Sequence, residues 1–162
     1  MLFRSAYAYP WAGLISQFKF QEHTGWARSL ATLLRSAPWV EPALEQADCV
    51  LPMPLSAQRL QQRGYNQTLV LARALEPSKV RADVLLRVKD TAPQSSLPRE
   101  HRLLEVAGAY ALEPALAHTL QGQRCVLLDD VMTTGASLHA AARVLRRAGA
   151  AHITALVLAR TE

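Results

Sequence analysis

Asp129 and Asp130 stand side by side at the end of a short apolar run, Cys125 to Leu128, and a small-residue turn, Thr133 to Ser137, follows at once. Adjacent carboxylates repel one another, so a site that keeps both needs vicinal hydroxyls, a metal or a nearby cation to compensate them. Sugar hydroxyls suit this, because ionised carboxylates accept charge-assisted hydrogen bonds. A threonine-, glycine- and serine-bearing turn that opens a helix offers backbone N–H groups and hydroxyls to an anion. Gly135 lets the backbone approach that anion closely. The stretch from Asp129 to Ser137 therefore describes two carboxylates for a ribose and a cradle for its 5′-phosphate. Each half alone has a plainer reading, Asp-Asp as a surface strand end and Thr-Thr-Gly-Ala-Ser as a helix cap. Their combination carries the chemistry.

Strand and helix must flank such a turn to aim it. Cys125 to Leu128 reads as a buried parallel strand, which delivers the side chains at its carboxyl end into a ligand crevice. Beyond the turn, Leu138, Ala141, Ala142, Leu145 and Ala148 fall on one helical face. Arg143, Arg146 and Arg147 complement the helix dipole near its end, and Gly149 is a fitting stop. Ile153 to Leu158 supplies a last strand. Upstream, Asp48 to Met53 is a strand halted by Pro52 and Pro54. Val84 to Val88 and Ala109 to Leu112 are further strands, and Pro114 to Gly122 is a connection with a helical turn. Trp11, Leu14, Ile15 and Phe18, then Trp26, Leu30, Leu33 and Leu34, predict two amphipathic helices over the sheet, the second ending near Pro38. Alternation of this kind argues for an α/β fold with a mainly parallel sheet flanked by helices. The expected organisation is one domain over 1–162, with an N-terminal helical segment over 1–46 and an α/β core over 47–162.

Other cations are placed to matter. Arg59 and Arg63 precede Gly64-Tyr65-Asn66-Gln67. They either grip a second anion such as a diphosphate or lie on a solvated helix face, and spacing does not choose. Asn66 reads as the cap of a helix carrying Leu69, Ala72 and Leu75. Residues 89–105 form a polar, proline-punctuated connection with Lys89, Arg99 and Arg102. It is either a lid that closes over a polyanion or an ordinary loop. His23 reads as a loop residue, and the tryptophans as core or interface anchors.

Bulk properties narrow the class. The 162 residues are 50% hydrophobic and 19% charged, which excludes a disordered chain. A net charge of +5 favours polyanionic partners, a phosphorylated sugar or nucleic acid, although the basic residues are dispersed. Cys49 and Cys125 lie in apolar runs without metal-ligand spacing and read as reduced, buried thiols. No run approaches the roughly 18 apolar residues of a membrane span, and the start lacks an apolar h-region. A cytoplasmic protein is expected.

With these segments placed, residues 126–138 resemble the phosphoribosyl diphosphate (PRPP) motif of type I phosphoribosyltransferases: hydrophobics, Asp-Asp, apolar, x, Thr-Thr-Gly-x-Thr/Ser. Roughly residues 8–160 resemble the ComF family (also GntX-like), a competence-associated group of type I phosphoribosyltransferase-like proteins. Leu51-Pro-Met-Pro-Leu55 and Gln58-Arg-Leu-Gln-Gln-Arg-Gly-Tyr-Asn-Gln67 look like its central signature. Thr91-Ala-Pro-Gln94 with Leu97-Pro-Arg99 looks like its lid, and Phe18-Lys19-Phe20 like its N-terminal Leu-Lys-Phe element. The resemblance implies a type I phosphoribosyltransferase-like fold. It implies ribose binding by Asp129 and Asp130, 5′-phosphate binding by Thr133, Thr134, Gly135, Ala136 and Ser137, and a place for Val131 in the same PRPP site. Pro52, Met53, Pro54 and Leu55, with Arg59 or Arg63, would face the diphosphate, and Lys89 and Arg99 would be the lid's catalytic cations. Mg²⁺ would arrive on PRPP or a nucleoside monophosphate, since that ion prefers phosphate oxygens and keeps its waters.

Three positions depart from the family pattern. The usual four-cysteine zinc module is not seen, Glu105 stands where the lid carries Asn, and Ser137 replaces Thr. Two functions follow as expectations: transfer of a phosphoribosyl group to an acceptor with release of diphosphate, or a non-catalytic nucleotide-sensing role in DNA uptake. Competence proteins, single-stranded DNA and a second copy of the chain are the partners to test. A short-chain dehydrogenase turn at Thr134 to Ser137 is discounted, because His139, Ala140 and Ala141 stand where further glycines are needed.

Overall fold

Nine-residue strands lie at the centre of the molecule because their sequences are apolar on both faces, as parallel strands covered on both sides require. The computed structural model describes residues 2–8, 11–20, 25–89 and 108–161. Four parallel strands form the main sheet: β1 (Leu2–Ala6), β2 (Cys49–Pro52), β5 (Arg124–Met132) and β6 (His152–Arg160), in the order β1-β6-β5-β2. Between β2 and β5 in the chain, β3 (Leu85–Arg87) and β4 (Tyr110–Leu112) pair as a separate antiparallel ribbon. The helices are α1 (Trp11–Phe20), α2 (Trp26–Arg35), α3 (Val40–Gln46), α4 (Ala57–Arg63), α5 (Gln67–Leu75) and α6 (Ala136–Arg147).

Alternation along the strands sorts the core into two layers. Val50, Val126, Leu128, Leu156 and Leu158 face a layer built from Ile15 and Phe18 of α1, Leu30 and Leu34 of α2, Val40 and Leu44 of α3, and Leu71 and Leu75 of α5. Cys49, Leu51, Cys125, Leu127 and Val157 face the other way, against Leu138, Ala141 and Leu145 of α6 and Leu85 and Tyr110 of the ribbon. The two helices read from the N-terminal periodicity are present and pack over the sheet as expected. In α2 the buried residues are Ala27, Leu30, Ala31 and Leu34, the spacing of one helical face.

Three features differ from the sequence reading. The N-terminal segment contributes more than helices, because β1 pairs with β6 from Leu2↔Leu156 to Ala6↔Arg160. Helix α3 is also additional. Its entry residue, Trp39, holds a left-handed φ of 72° and leaves its ring 73% exposed. Finally, β5 does not stop at Leu128. It carries both aspartates and continues to Met132 because β6 runs alongside, with Asp129↔Val157 and Met132↔Arg160 in register. The cysteines are buried and free as expected, and they face each other across β2 and β5 with sulfurs 3.5 Å apart.

Candidate functional site

Parallel strands bring their carboxyl ends to one edge of the sheet, and the cleft lies there. It has a volume of about 310 Å³. Tyr7 follows β1, Met53 to Leu55 follow β2, Asp129 to Thr133 close β5, and Thr161 follows β6; all of these except Met132 line the cleft. Lys19 reaches in from α1, Arg59 and Arg63 from α4, Gln67 and Thr68 from α5, and Arg87 and Tyr110 from the ribbon.

Local chemistry explains how the walls are held. Ser56 is buried and caps α4 by accepting from the Arg59 N–H at 3.4 Å. Gly64 ends that helix with φ 74°, a left-handed conformation natural to glycine. Asn66 then caps α5, accepting from the N–H groups of Thr68 (2.9 Å) and Leu69 (3.3 Å), as its position suggested. Its amide also donates to the Met53 carbonyl at 3.1 Å, tying the loop after β2 to α5. Asn66→Ala removes the cap and the tie together. A loss of about 1–2 kcal/mol in urea denaturation is expected.

The acidic pair is asymmetric. Asp130 is 3% exposed. Its Oδ1 accepts from the Val131 N–H at 2.6 Å and from Lys19 Nζ at 3.1 Å. Its Oδ2 accepts from Gln67 Nε2 at 2.8 Å and lies 3.0 Å from Lys19 Nζ. Burial alone would raise the Asp130 carboxyl, but the Lys19 charge and these hydrogen bonds hold it below its ordinary value. Asp129 is half-buried and accepts from the Asp130 N–H at 2.9 Å. Burial, and then the adjacent Asp130 charge, push its carboxyl up to about 7.

Beyond β5 the turn enters α6 through Gly135, at φ 78°, where a side chain would be strained. Thr134 Oγ1 accepts from the Ala136 N–H at 3.4 Å. A smaller recess beside the cleft is shared by Asp129, Val131, Thr133 and Ser137 and completed by Met132, Gly135, Ala136 and Leu138. Also lining the cleft, Arg87 donates to the Tyr110 hydroxyl at 3.2 Å, its guanidinium carbon 5.5 Å from that ring's centre.

Of the residues expected from sequence, Asp129, Asp130, Val131, Thr133, Ser137, Met53, Pro54, Leu55, Arg59 and Arg63 line the cleft. Gly135 and Ala136 line the adjoining recess, and Thr134 acts at the helix start. Pro52 is buried at the end of β2 opposite Leu128, behind the wall. Lys89 is exposed just after the ribbon and does not line the cleft. Arg99 and the expected lid beyond Lys89 lie outside the described residues. Lys19, Gln67, Arg87 and Tyr110 are cleft residues that sequence reasoning did not assign. Lys19 carried two signals, its place as a lone cation in an apolar helix beside the buried Phe18 and its membership of the Phe18-Lys19-Phe20 element, and neither pointed to the acidic pair.

A solved structure described as the allosteric regulatory enzyme of purine biosynthesis superposes on 88% of this chain and 30% of its own, with a TM-score of 0.54 and 16% identity. Residues 55–162 match the family described as the phosphoribosyl transferase domain. The fold is thus of the type I phosphoribosyltransferase class, with its mainly parallel sheet flanked by helices. Competence protein F of Haemophilus influenzae is 33% identical, the match covering 95% of this chain and 69% of that protein. DNA utilization protein YhgH of Salmonella typhimurium is 31% identical over 97% of this chain and 70% of its own length. Competence protein ComFC of Bacillus subtilis is 35% identical over 69% of this chain and 44% of its own. The chain belongs to the phosphoribosyl transferase domain family, as a ComF-like member. Among the described residues, no helix is long and apolar enough to cross a membrane.

Proposed function

We propose that the cleft binds PRPP or a ribonucleoside monophosphate together with Mg²⁺, and that the protein transfers the phosphoribosyl group to an acceptor with release of diphosphate. One observation carries this reading: Asp129 lies near the carboxyl end of β5 and shares a recess with the glycine turn that opens α6, so a diol acceptor and an anion cradle stand side by side. Arg59 and Arg63 line the same cleft and supply cations for a second anion. Among the described residues no cluster of three metal-ligating side chains occurs. That donor set fits an ion held mainly by ligand phosphate oxygens, with Asp129 available to its water shell. Bound there, Mg²⁺ would neutralise charge on the departing diphosphate. In the transfer, the C1–O bond breaks, the electron pair leaves with diphosphate, and the acceptor nitrogen bonds to C1. Its displaced proton passes to diphosphate or water.

The names of the relatives support a second reading, an accessory role in which the same pocket senses nucleotides released during DNA uptake or use. Phosphorus NMR of the purified protein with Mg²⁺ and PRPP, with and without candidate bases and amines, separates the two. Acceptor-dependent appearance of diphosphate is the expected result. PRPP lines that broaden and never convert would favour sensing, and unperturbed lines would remove both.

A further inference from the structure

Asp130 already uses most of its acceptor capacity inside the protein. An ionised carboxylate offers about four acceptor positions on its two oxygens. Val131 N–H and Lys19 donate to Oδ1 and Gln67 donates to Oδ2, at 2.6–3.1 Å, and the Lys19 ammonium also lies 3.0 Å from Oδ2. The carboxylate is also out of solvent. Asp129 differs on each count. It is only partly buried and lines the cleft, and among the described residues its side chain accepts one bond, from the Asp130 N–H to Oδ1.

Lys19 and Gln67 look purpose-built for this task. Lys19 is carried by α1 next to Ile15 and Phe18, whose side chains are fully buried, so the ammonium is delivered by an anchored element. Gln67 must turn its amide nitrogen toward Asp130, because a carboxylate accepts only. In doing so it leaves Oε1 buried without a hydrogen-bond partner among the described residues. Native structures tolerate few such atoms, and the arrangement at Gln67 serves Asp130 at its own expense.

We propose that Lys19 and Gln67 are positioning residues that fix Asp130 as an internal counter-charge, leaving Asp129 as the carboxylate that meets the ligand's vicinal hydroxyls. The inference rests on the ribose-phosphate reading of the cleft and divides the acidic pair by role. Asp130 sets the backbone of the strand end from which Asp129 projects. Helix α1 is thereby coupled to the strand that carries the acidic pair, since Lys19 and Asp130 are 111 positions apart.

The charged and titratable groups facing the pair are Lys19 from α1, Arg59 and Arg63 from α4, Arg87 from β3, Tyr7 after β1 and Tyr110 from β4. The experiment compares the wild type, Lys19→Met, Lys19→Arg and Gln67→Leu. Carbon-13 NMR of the Asp130 carboxyl in the ligand-free protein reads its titration. Phosphorus NMR with Mg²⁺ reads PRPP affinity, and nitrogen-15 NMR follows the Lys19 ammonium.

Lys19→Met should raise the Asp130 midpoint and weaken PRPP about tenfold, the loss growing as pH falls. Lys19→Arg should restore much of both, and Gln67→Leu should move the midpoint in the same direction. An unshifted Asp130 midpoint in both Lys19→Met and Gln67→Leu would overturn the inference. So would a Lys19 ammonium that leaves Asp130 when PRPP binds, because Lys19 would then be a ligand contact. If Lys19→Met fails to fold, Lys19→Arg and Gln67→Leu still decide through the carboxyl titration. A wild type that binds no PRPP defeats the reading of the cleft instead, while the ligand-free titration continues to judge the two positioning residues.

Discussion

Asp129→Asn is expected to weaken PRPP binding about ten- to a hundredfold while making the ligand-free protein more heat-stable at neutral pH. The first effect follows from the loss of charge-assisted bonds to hydroxyls, worth about 1.5–3 kcal/mol. The fold should survive, since asparagine keeps an oxygen for the Asp130 N–H and Asp129 is half-exposed. The second effect follows from the raised carboxyl. Burial and the Asp130 charge bring its midpoint to about 7 in the folded protein. Between the ordinary carboxylate range and that value, the folded state holds a proton that the unfolded chain has released. Stability is therefore fuller at low pH and declines as pH rises through this window. Asparagine never ionises and escapes the decline.

Thermal melts should accordingly converge near about pH 4 and separate above about pH 7, with the variant higher. PRPP affinity of the wild type should fall as pH drops below about 7, because a protonated Asp129 no longer accepts from both hydroxyls. Ligand phosphate titrates in the same region, so the comparison is the difference between wild type and Asp129→Asn at each pH. A variant that binds equally well, or melts lower at alkaline pH, would contradict this account.

Leu128→Ala should produce the largest loss of stability, about 2–5 kcal/mol. Leu128 is fully buried, directly precedes the acidic pair, and sits between Pro52 of β2 and Leu156 of β6. Truncation leaves a hole in the layer shared with α1, α2 and α5, where the surrounding helices can relax only in part. The Met53 N–H donates to the Leu128 carbonyl at 2.9 Å, and that backbone bond survives the change. Urea unfolding should show a lower midpoint with an unchanged slope. PRPP affinity measured well below that midpoint should stay near the wild-type value, separating the support of the site from its chemistry.

Much of the site was legible because it is contiguous. Asp129 to Ser137 is a strand end, turn and helix start, and each piece announces itself by residue type within a few positions. Asn66 and Gly149 were readable for the same reason, since caps and stops are local events; Gly149 indeed holds a positive φ of 89°. Lys19, Gln67, Arg87 and Tyr110 were not, because only the sheet order and the β3–β4 ribbon bring them to the cleft. Nothing in the spacing around Lys19 specifies a carboxylate far along the chain. Helix α3 escaped notice because its two buried side chains, Val40 and Leu44, are too few to establish a period. Strand β1 escaped because Leu-Phe-Arg-Ser-Ala shows no alternation. Conversely, apolar character alone ended β5 too early, since the strand's length is set by the neighbour that pairs with it.

The pairing of β1 with β6 has a consequence for how the molecule comes into being. During synthesis the first of these strands leaves the ribosome long before its partner has been translated, and the order β1-β6-β5-β2 gives it no other neighbour among the described residues. Until the last strand emerges, the incoming chain holds an unpaired edge, and closure of this seam is a late, long-range step. Tyr7, whose N–H donates to the Arg160 carbonyl at 2.7 Å, enters the cleft wall only with that closure. Ligand-binding competence should therefore appear together with the pairing of Leu2 to Ala6 against Leu156 to Arg160.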